Sequence, residues 1–240
     1  MRQITQITRK LKQGMTTPIL CKTEDGVEYC CKGVHAGIRS LCNEWICANL
    51  AKALNLPIPE FEILDVPLKL FETWDKANRN ERLVFVNSRC HFVFASKMVS
   101  HVKDVVNPLE LADKKVDNLG MCRVVMFDRI IRNCDRADYN SNLLMTAGKQ
   151  PSIFIIDHNL AFDEDFNRGD FLRNHILRNF YCKMKQEDKD CFFGDVRRLL
   201  SDGIIGDIKS KIPVAWLNGL TEQDAEFLEN LEEIIEREVE

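Results

Sequence analysis

The spacing of apolar residues changes along the chain, and each pattern predicts a different kind of structure. Over residues 4–33, short apolar runs alternate with turns, and the Asp25-Gly26 pair between two of these runs is a hairpin signal. Over residues 40–55, apolar residues recur every three or four positions, which predicts a helix. Two prolines soon afterwards predict its end. This part of the chain is therefore predicted to combine strands with one helix.

Two more strands are predicted before residue 97, over residues 61–66 and 83–96. The residues between them, 73–82, are mostly polar and are predicted to form a loop. Residues 1–97 are thus predicted to form a small β-rich lobe that carries one helix.

After residue 97 the pattern predicts mostly helices. Residues 108–131 place apolar side chains on one helical face, and two short apolar runs, at 143–145 and 152–156, predict a pair of strands. Thr221 and Asp224 have the spacing of a capping box at the start of the last helix. The prediction is an α+β fold with two lobes, residues 1–97 and 98–240.

Composition excludes several classes of protein. Apolar residues make up 45% of the chain and charged residues 29%, and no apolar run approaches the ~20 residues of a membrane helix. The net charge is −4 and the charges are interspersed, so neither a membrane nor a nucleic acid is predicted as a partner. The first residues do not resemble a secretory signal, and the ten cysteines are scattered as in reduced proteins, so we predict a cytoplasmic location.

One short stretch concentrates the polar side chains that could carry chemistry. Its members lie on a predicted loop and at the end of the strand that follows: Asn133, Asp135, Arg136, Asn140, Asn142 and Asp157. A loop carboxylate can accept a proton from an attacking hydroxyl, and an Asn together with a second carboxylate can ligate a metal ion. Phosphoryl transfer needs these roles.

A simpler interpretation is that these Asp and Asn residues only form turns. Asp157 argues against it, because a carboxylate directly after an apolar strand needs a partner or a metal ion. We therefore favour a functional site.

The same residues resemble the HipA-like kinases, which have a protein-kinase-like fold. The loop from Asn133 to Asn140 resembles the family pattern N-x-D-R-x-x-x-N, and residues 156–158 resemble its I-D-H element. The resemblance implies that Asp135 is the catalytic base, that Asn140 and Asp157 ligate Mg²⁺, and that ATP is the cofactor.

The N-terminal half carries further elements of the resemblance in the family's order. They are a turn at residues 14–18, a strand ending in Lys32, a helix bearing Glu44, and L-x-L-P-x-P at residues 54–59. The resemblance implies that Lys32 contacts the inner phosphates of ATP and that Glu44 holds it. It also implies that the turn residues Thr16 and Thr17 bind the nucleotide and are candidate autophosphorylation sites. It further implies that the segment Ala95, Ser96 and Lys97 contacts adenine.

For function, the resemblance implies transfer of the γ-phosphate to a serine or threonine hydroxyl of a protein, and an antitoxin partner. Ala137 departs from the family, since many members have a histidine there. Two alternatives stay open at this point: a nucleotide-binding pseudokinase that acts as an interaction module, and a kinase for a small molecule.

Overall fold

A computed structural model describes residues 1–11, 16–78, 84–105, 107, 109–112 and 114–239. The chain forms two compact units, each built from several segments. The first unit comprises Met1–Trp45, Pro59–Val99 and Ile212–Ala225. The second comprises Ile46–Ile58, Ser100–Lys211 and Glu226–Glu240. The predicted lobe boundary at residue 97 stays a prediction.

An antiparallel sheet of five strands forms the framework of the first unit, in the order β1-β2-β3-β5-β4. The strands are β1 (Ile4–Lys10), β2 (Ile19–Thr23), β3 (Glu28–Lys32), β4 (Phe61–Asp65) and β5 (Phe92–Lys97). The predicted hairpin joins β2 to β3, and Gly26 has a φ of 77° there, a conformation that glycine adopts without strain. The sheet's buried side chains form a core with Phe85 and Val86.

Two helices test the helix and loop predictions for the first hundred residues. The predicted helix exists as α1 (Ile38–Ala53), which contributes residues to both units. A second helix, α2 (Leu68–Ala77), covers the first part of the predicted loop, so the predictions of a loop there and of one helix in this region are wrong. Leu68, Phe71 and Trp74 are spaced by one helical turn and pack against the sheet core, which explains the helix. Residues 79–83 of the predicted loop and strand lie outside the described residues.

The remaining part of the predicted strand 83–96 is only partly a strand. Residues 84–91 have no regular structure, although Phe85 and Val86 are buried, and the strand begins at Phe92. Burial in this segment comes from packing rather than from sheet pairing. Trp216, in the short helix α9 (Val214–Leu217), is also fully buried and donates a hydrogen bond from Nε1 to the carbonyl of Phe92 at 3.2 Å.

The second unit is mostly helical and contains a small antiparallel sheet. Its strands are β6 (Val102–Asp104), β7 (Leu143–Thr146) and β8 (Ile153–Ile155), in that order. The prediction of two strands at β7 and β8 is confirmed, whereas β6 was not predicted. The helices that lie wholly within this unit are α3 (Leu109–Ala112), α4 (Asn118–Ile130), α5 (Arg168–Asn174), α6 (Arg178–Tyr181), α7 (Gln186–Ser201), α8 (Ile204–Lys209) and α11 (Leu231–Val239).

The end of the chain contains two helices where one was predicted. α10 (Glu222–Glu229) begins with the predicted capping box, in which the Asp224 N–H donates to Thr221 Oγ1 at 3.1 Å. The helical structure is interrupted by a turn at Asn230, and α11 follows. Within the described part of the chain, no helix is long and apolar enough to cross a membrane.

Candidate active site

A buried carboxylate organises the loop that follows α4. Asp128, in the last turn of α4, is fully buried and accepts four hydrogen bonds from three residues. The donors are Asn133 Nδ2 at 2.9 Å, Arg136 Nε at 2.6 Å, Arg136 Nη2 at 3.4 Å and His175 Nε2 at 3.0 Å. We call these four residues the Asp128 cluster. It fixes the first residues of the loop to the helix end and to the segment after α5.

Charge and hydrogen bonding determine the protonation states in the Asp128 cluster. Burial by itself would raise the pKa of the Asp128 carboxyl, but the Arg136 charge and the His175 hydrogen bond hold this pKa well below its ordinary value. Burial lowers the pKa of His175. Because His175 Nδ1 accepts a hydrogen bond from the Leu177 N–H at 3.0 Å, the proton of the neutral ring sits on Nε2 and points to Asp128. The cluster therefore combines one negative charge, one positive charge and a neutral histidine.

We expect this buried histidine to make stability depend on pH. Its pKa in the folded chain lies below the unfolded value of 6.5, so the unfolded chain binds a proton that the folded chain rejects, and stability falls as pH decreases below that value. Lowering the pH from about 7.5 to about 5.5 should cost about 1 kcal/mol through this residue alone. Urea unfolding of the wild type and of His175→Gln at both pH values measures this contribution, because the glutamine can still donate to Asp128 but does not titrate. Equal pH slopes for the two proteins would contradict the prediction.

Asp135 lies in this loop with its carboxylate held by two amides. Its Oδ2 accepts hydrogen bonds from Asn140 Nδ2 and Asn142 Nδ2, each at 2.9 Å, and its N–H donates to Asn133 Oδ1 at 3.2 Å. Reciprocal backbone hydrogen bonds of 2.9 and 3.0 Å between Ala137 and Asn140 turn the chain back on itself. This turn explains how a side chain five positions away reaches Asp135.

Arg136 connects the loop to the end of β8. This fully buried guanidinium donates from Nη1 to the carbonyls of Ser141, Asn142 and Ile156, and from Nη2 to His158 Nε2 at 3.2 Å. The Ile156 N–H also donates to the Asn142 carbonyl at 3.1 Å. Asp157 therefore follows directly after a residue that is bonded to the loop.

The backbone at Asp157 has an uncommon conformation. Its φ is 60°, in the left-handed region that few non-glycine residues adopt. Such conformations concentrate at functional sites, where the surrounding structure enforces them. The neighbouring His158 is buried by its contact with Arg136 and by an edge-on contact with Phe127 at 5.9 Å between ring centroids.

Oxygen atoms of the loop and of Asp157 suit a magnesium ion. Mg²⁺ prefers carboxylate and amide oxygens, and it is usually held by one or two protein carboxylates together with substrate phosphates and water. Asn140 has an amide oxygen and Asp157 a carboxylate, so the prediction that they ligate Mg²⁺ agrees with their chemistry and stays a prediction. Among the residues that the structure describes, no group of three or more His, Cys, Asp or Glu side chains could hold a metal ion.

In the first unit, Lys32 and Glu44 form a buried ion pair. Lys32 ends β3, Glu44 lies in α1, and Lys32 Nζ is 2.5 Å from Glu44 Oε1. Their exposed fractions are 7% and 2%. A buried ion pair seldom stabilises a fold more than apolar side chains would, so its presence points to a role for the ammonium group.

The other predicted nucleotide-binding residues lie in the first unit. The carbonyls of Thr16 and Thr17 accept from His35 Nε2 at 2.7 and 3.2 Å, and Thr17 has a φ of 44°. Gly14 and Met15 of the same turn lie outside the described residues.

The predicted adenine-contacting segment forms the end of β5. Ala95 and Ser96 pair with strands on both sides, and the Lys97 N–H donates to the Glu60 carbonyl at 2.7 Å. Adenine contact by this segment stays a prediction.

Sequence patterns missed two members of the Asp128 cluster. Asp128 stands in an otherwise apolar stretch of a predicted helix, and a carboxylate there signals a buried partner. His175 shows no comparable signal, because its partner is 47 positions away.

Comparisons with known proteins identify the family and support the fold. A family model described as HipA-like kinase matches residues 4–239. The fold is similar to that of a Helicobacter pylori proinflammatory kinase, CtkA, with a TM-score of 0.60 at 12% sequence identity, over 99% of this chain and 93% of that chain. No curated protein sequence matches the chain. Because the family model spans nearly the whole sequence, this kinase-type phosphotransferase belongs to the HipA-like kinase family.

Proposed function

We propose that the chain transfers the γ-phosphate of ATP to a serine or threonine hydroxyl of a protein, with Mg²⁺ as the metal ion. The observation that carries the proposal is the Asp135 carboxylate, which two asparagine amides orient in a loop that Arg136 fastens to the residue before Asp157. A carboxylate fixed in this way can accept a hydroxyl proton during transfer. Family membership supports the reaction class.

Each of the other residues has a proposed role that follows from its chemistry. Asn140 and Asp157 supply oxygen ligands for the metal ion, and the left-handed backbone at Asp157 sets the direction of its carboxylate. The metal ion, when bound, neutralises charge on the phosphate oxygens. Arg136 donates to backbone carbonyls rather than to the solvent, so we assign it to positioning the loop.

Lys32 is proposed to bind the inner phosphates. The Glu44 carboxylate fixes the ammonium group at the end of β3. Thr16 and Thr17 are proposed to offer backbone and hydroxyl groups to the phosphates and to accept phosphate themselves. Ala95, Ser96 and Lys97 are proposed to contact adenine, as the resemblance implies.

Removing the ammonium group should reduce transfer strongly without unfolding the chain. We expect the double variant Lys32→Met with Glu44→Gln to transfer phosphate about 10²-fold more slowly, because a fixed charge on the phosphates is lost. The paired change avoids leaving Glu44 as an unpaired buried charge. Initial rates at saturating ATP measure the effect, and Lys22→Met serves as a control because that lysine pairs with Glu28 at a partly exposed position of the sheet. Rates within twofold of the wild type in the double variant would contradict the role of Lys32.

The protein partner is a proposal that rests on the resemblance, and the cytoplasmic location is one that rests on the cysteine pattern and the first residues of the sequence. Members of this family that act as toxins pair with an antitoxin, and we propose such a protein partner for this chain, in the cytoplasm. Ala137 gives one specific reason to keep a pseudokinase as the second candidate. It is 2% exposed and its backbone bonds Asn140, so it offers no side chain to the reactants where many family members have a histidine.

Transfer from labelled ATP tests the proposed function. The purified chain is incubated with γ-labelled ATP and Mg²⁺, alone and with a cell lysate, and the labelled product is located by mass spectrometry. Label on a serine or threonine of a protein, lost when the metal ion is chelated, is the expected result. Label only on a small molecule would favour the small-molecule kinase, and ATP binding without transfer would favour the pseudokinase.

A further inference from the structure

Four arginines surround the end of α11, and three of them approach one carboxylate. Glu238 is 4% exposed. Its Oε1 accepts a hydrogen bond from Arg132 Nε at 3.1 Å, and its Oε2 accepts one from Arg168 Nε at 2.9 Å. Arg129 Nε lies 3.9 Å from Oε2. Glu238 is thus the acidic partner of three arginines that come from different parts of the second unit.

Two of these three arginines, together with Arg197, also cap the helix. The last carbonyls of a helix lack partners within it. Arg168 Nη2, Arg129 Nη2 and Arg197 Nη2 donate to the last three described carbonyls, those of residues 237, 238 and 239, at 2.7, 3.0 and 2.5 Å. Capping needs no carboxylate at Glu238, because Arg197 holds the helix end and, among the described contacts, does not bond that carboxylate. The contacts of the Glu238 carboxylate therefore serve a role other than helix capping.

Two of the arginines lie on segments that hold the candidate active site. Arg132 directly precedes Asn133, has a φ of 48°, and accepts on its carbonyl a hydrogen bond from the Asp163 N–H at 3.3 Å. Arg168 is the first residue of α5, in the segment that follows Asp157. The two oxygens of Glu238 therefore join the entrance of the catalytic loop to the segment after the proposed metal ligand.

We propose that Glu238 is a positioning residue that orders these two segments for phosphoryl transfer. The inference rests on the proposed kinase function. In many protein kinases a phosphate on the segment after the metal-binding Asp recruits arginines and orders the site. Here the Glu238 carboxylate of α11 lies between the arginines. The fixed charge makes a phosphate on that segment unnecessary for activity.

The variant Glu238→Gln tests this proposal against a matched control. Glutamine keeps the size of the side chain, but it loses the charge and turns an amide N–H₂ toward an arginine donor. We expect kcat to fall about tenfold or more with little change in the KM for ATP, because misplaced catalytic groups slow the chemical step. Backbone amides of residues 131–136 and 162–171 should also exchange hydrogen faster. Phosphatase treatment of the wild type should leave kcat unchanged.

Arg197→Gln is the control, because it weakens the capping of α11 without removing the Glu238 carboxylate. It should lower the melting temperature but leave kcat and hydrogen exchange in the two segments unchanged. Equal effects of the two variants on kcat and on exchange would show that Glu238 only holds the helix, and would overturn the proposal. Loss of kcat on phosphatase treatment would also overturn it. If the wild type transfers no phosphate, the kinase function fails, while the exchange comparison still decides the role of Glu238.

Discussion

Asp135→Asn should lower the rate of phosphate transfer by about 10³-fold, the range in which general bases contribute. The substitution keeps the shape of the side chain and removes its ability to accept a proton. Its oxygen can still accept a hydrogen bond from one of the two asparagine amides that hold the carboxylate. Asp135 is only partly buried, so we expect a change in the free energy of unfolding of no more than about 1 kcal/mol. Single-turnover rates with labelled ATP, at saturating nucleotide, measure the effect.

Asp138→Asn is the matched control for this prediction. It makes the same chemical change three positions along the same loop, where the exposed carboxylate accepts hydrogen bonds only from Arg178 in the described contacts, at 3.0 and 3.1 Å. We expect a rate within about twofold of the wild type, since exposed ion pairs contribute little. An equal loss of activity in both variants would mean that the loop responds to any loss of charge, and Asp135 would lose its assignment as the base. Unchanged activity in Asp135→Asn would exclude proton transfer to this residue.

Local patterns predicted the parts of the site that depend on nearby residues. The turn that brings Asn140 to Asp135 spans only a few positions, and the paired strands β7 and β8 lie next to it in the sequence. The spacing of these residues and strands along the chain could therefore be recognised in the sequence. The contact between Lys32 and Glu44 is also short in sequence, at 12 positions, and the family's order of elements indicated both residues.

Contacts between distant segments could not be predicted in the same way. β6 is a strand of three residues that exists because β7 pairs with it, and α2 forms because Phe71 and Trp74 reach a sheet core assembled from other segments. The salt bridge from Arg132 to Glu238 spans 106 positions. A polar residue in an apolar stretch can reveal that a partner is needed, but it does not identify the partner.

The Asp128 cluster illustrates why such a partner matters for stability, and Asp128→Ala should show the largest loss. We expect the free energy of unfolding to fall by about 3–5 kcal/mol, the cost of leaving one buried charge unpaired. The side chains of Asp128 and Arg136 are both 0% exposed, so no solvent replaces the lost carboxylate. Asn133 and His175 also lose their acceptor. Urea denaturation measures the change. Asp195→Ala removes a carboxylate that is about one quarter exposed and pairs with Arg123 and Arg198, and it should cost no more than about 1 kcal/mol.

The double variant Asp128→Ala with Arg136→Met separates the two contributions to this loss. If the cost arises mainly from the unpaired guanidinium, removing the charge as well should restore part of the stability, because apolar replacement of a buried pair is often close to neutral. Arg136 also bonds the carbonyls of Ser141 and Ile156, so the double variant should recover stability while phosphate transfer stays low. A double variant no more stable than Asp128→Ala would show that Arg136 stabilises the fold through those carbonyls even without its carboxylate partner. Wild-type stability in Asp128→Ala would show that the buried pair contributes nothing, and the loop would then owe its position to other contacts.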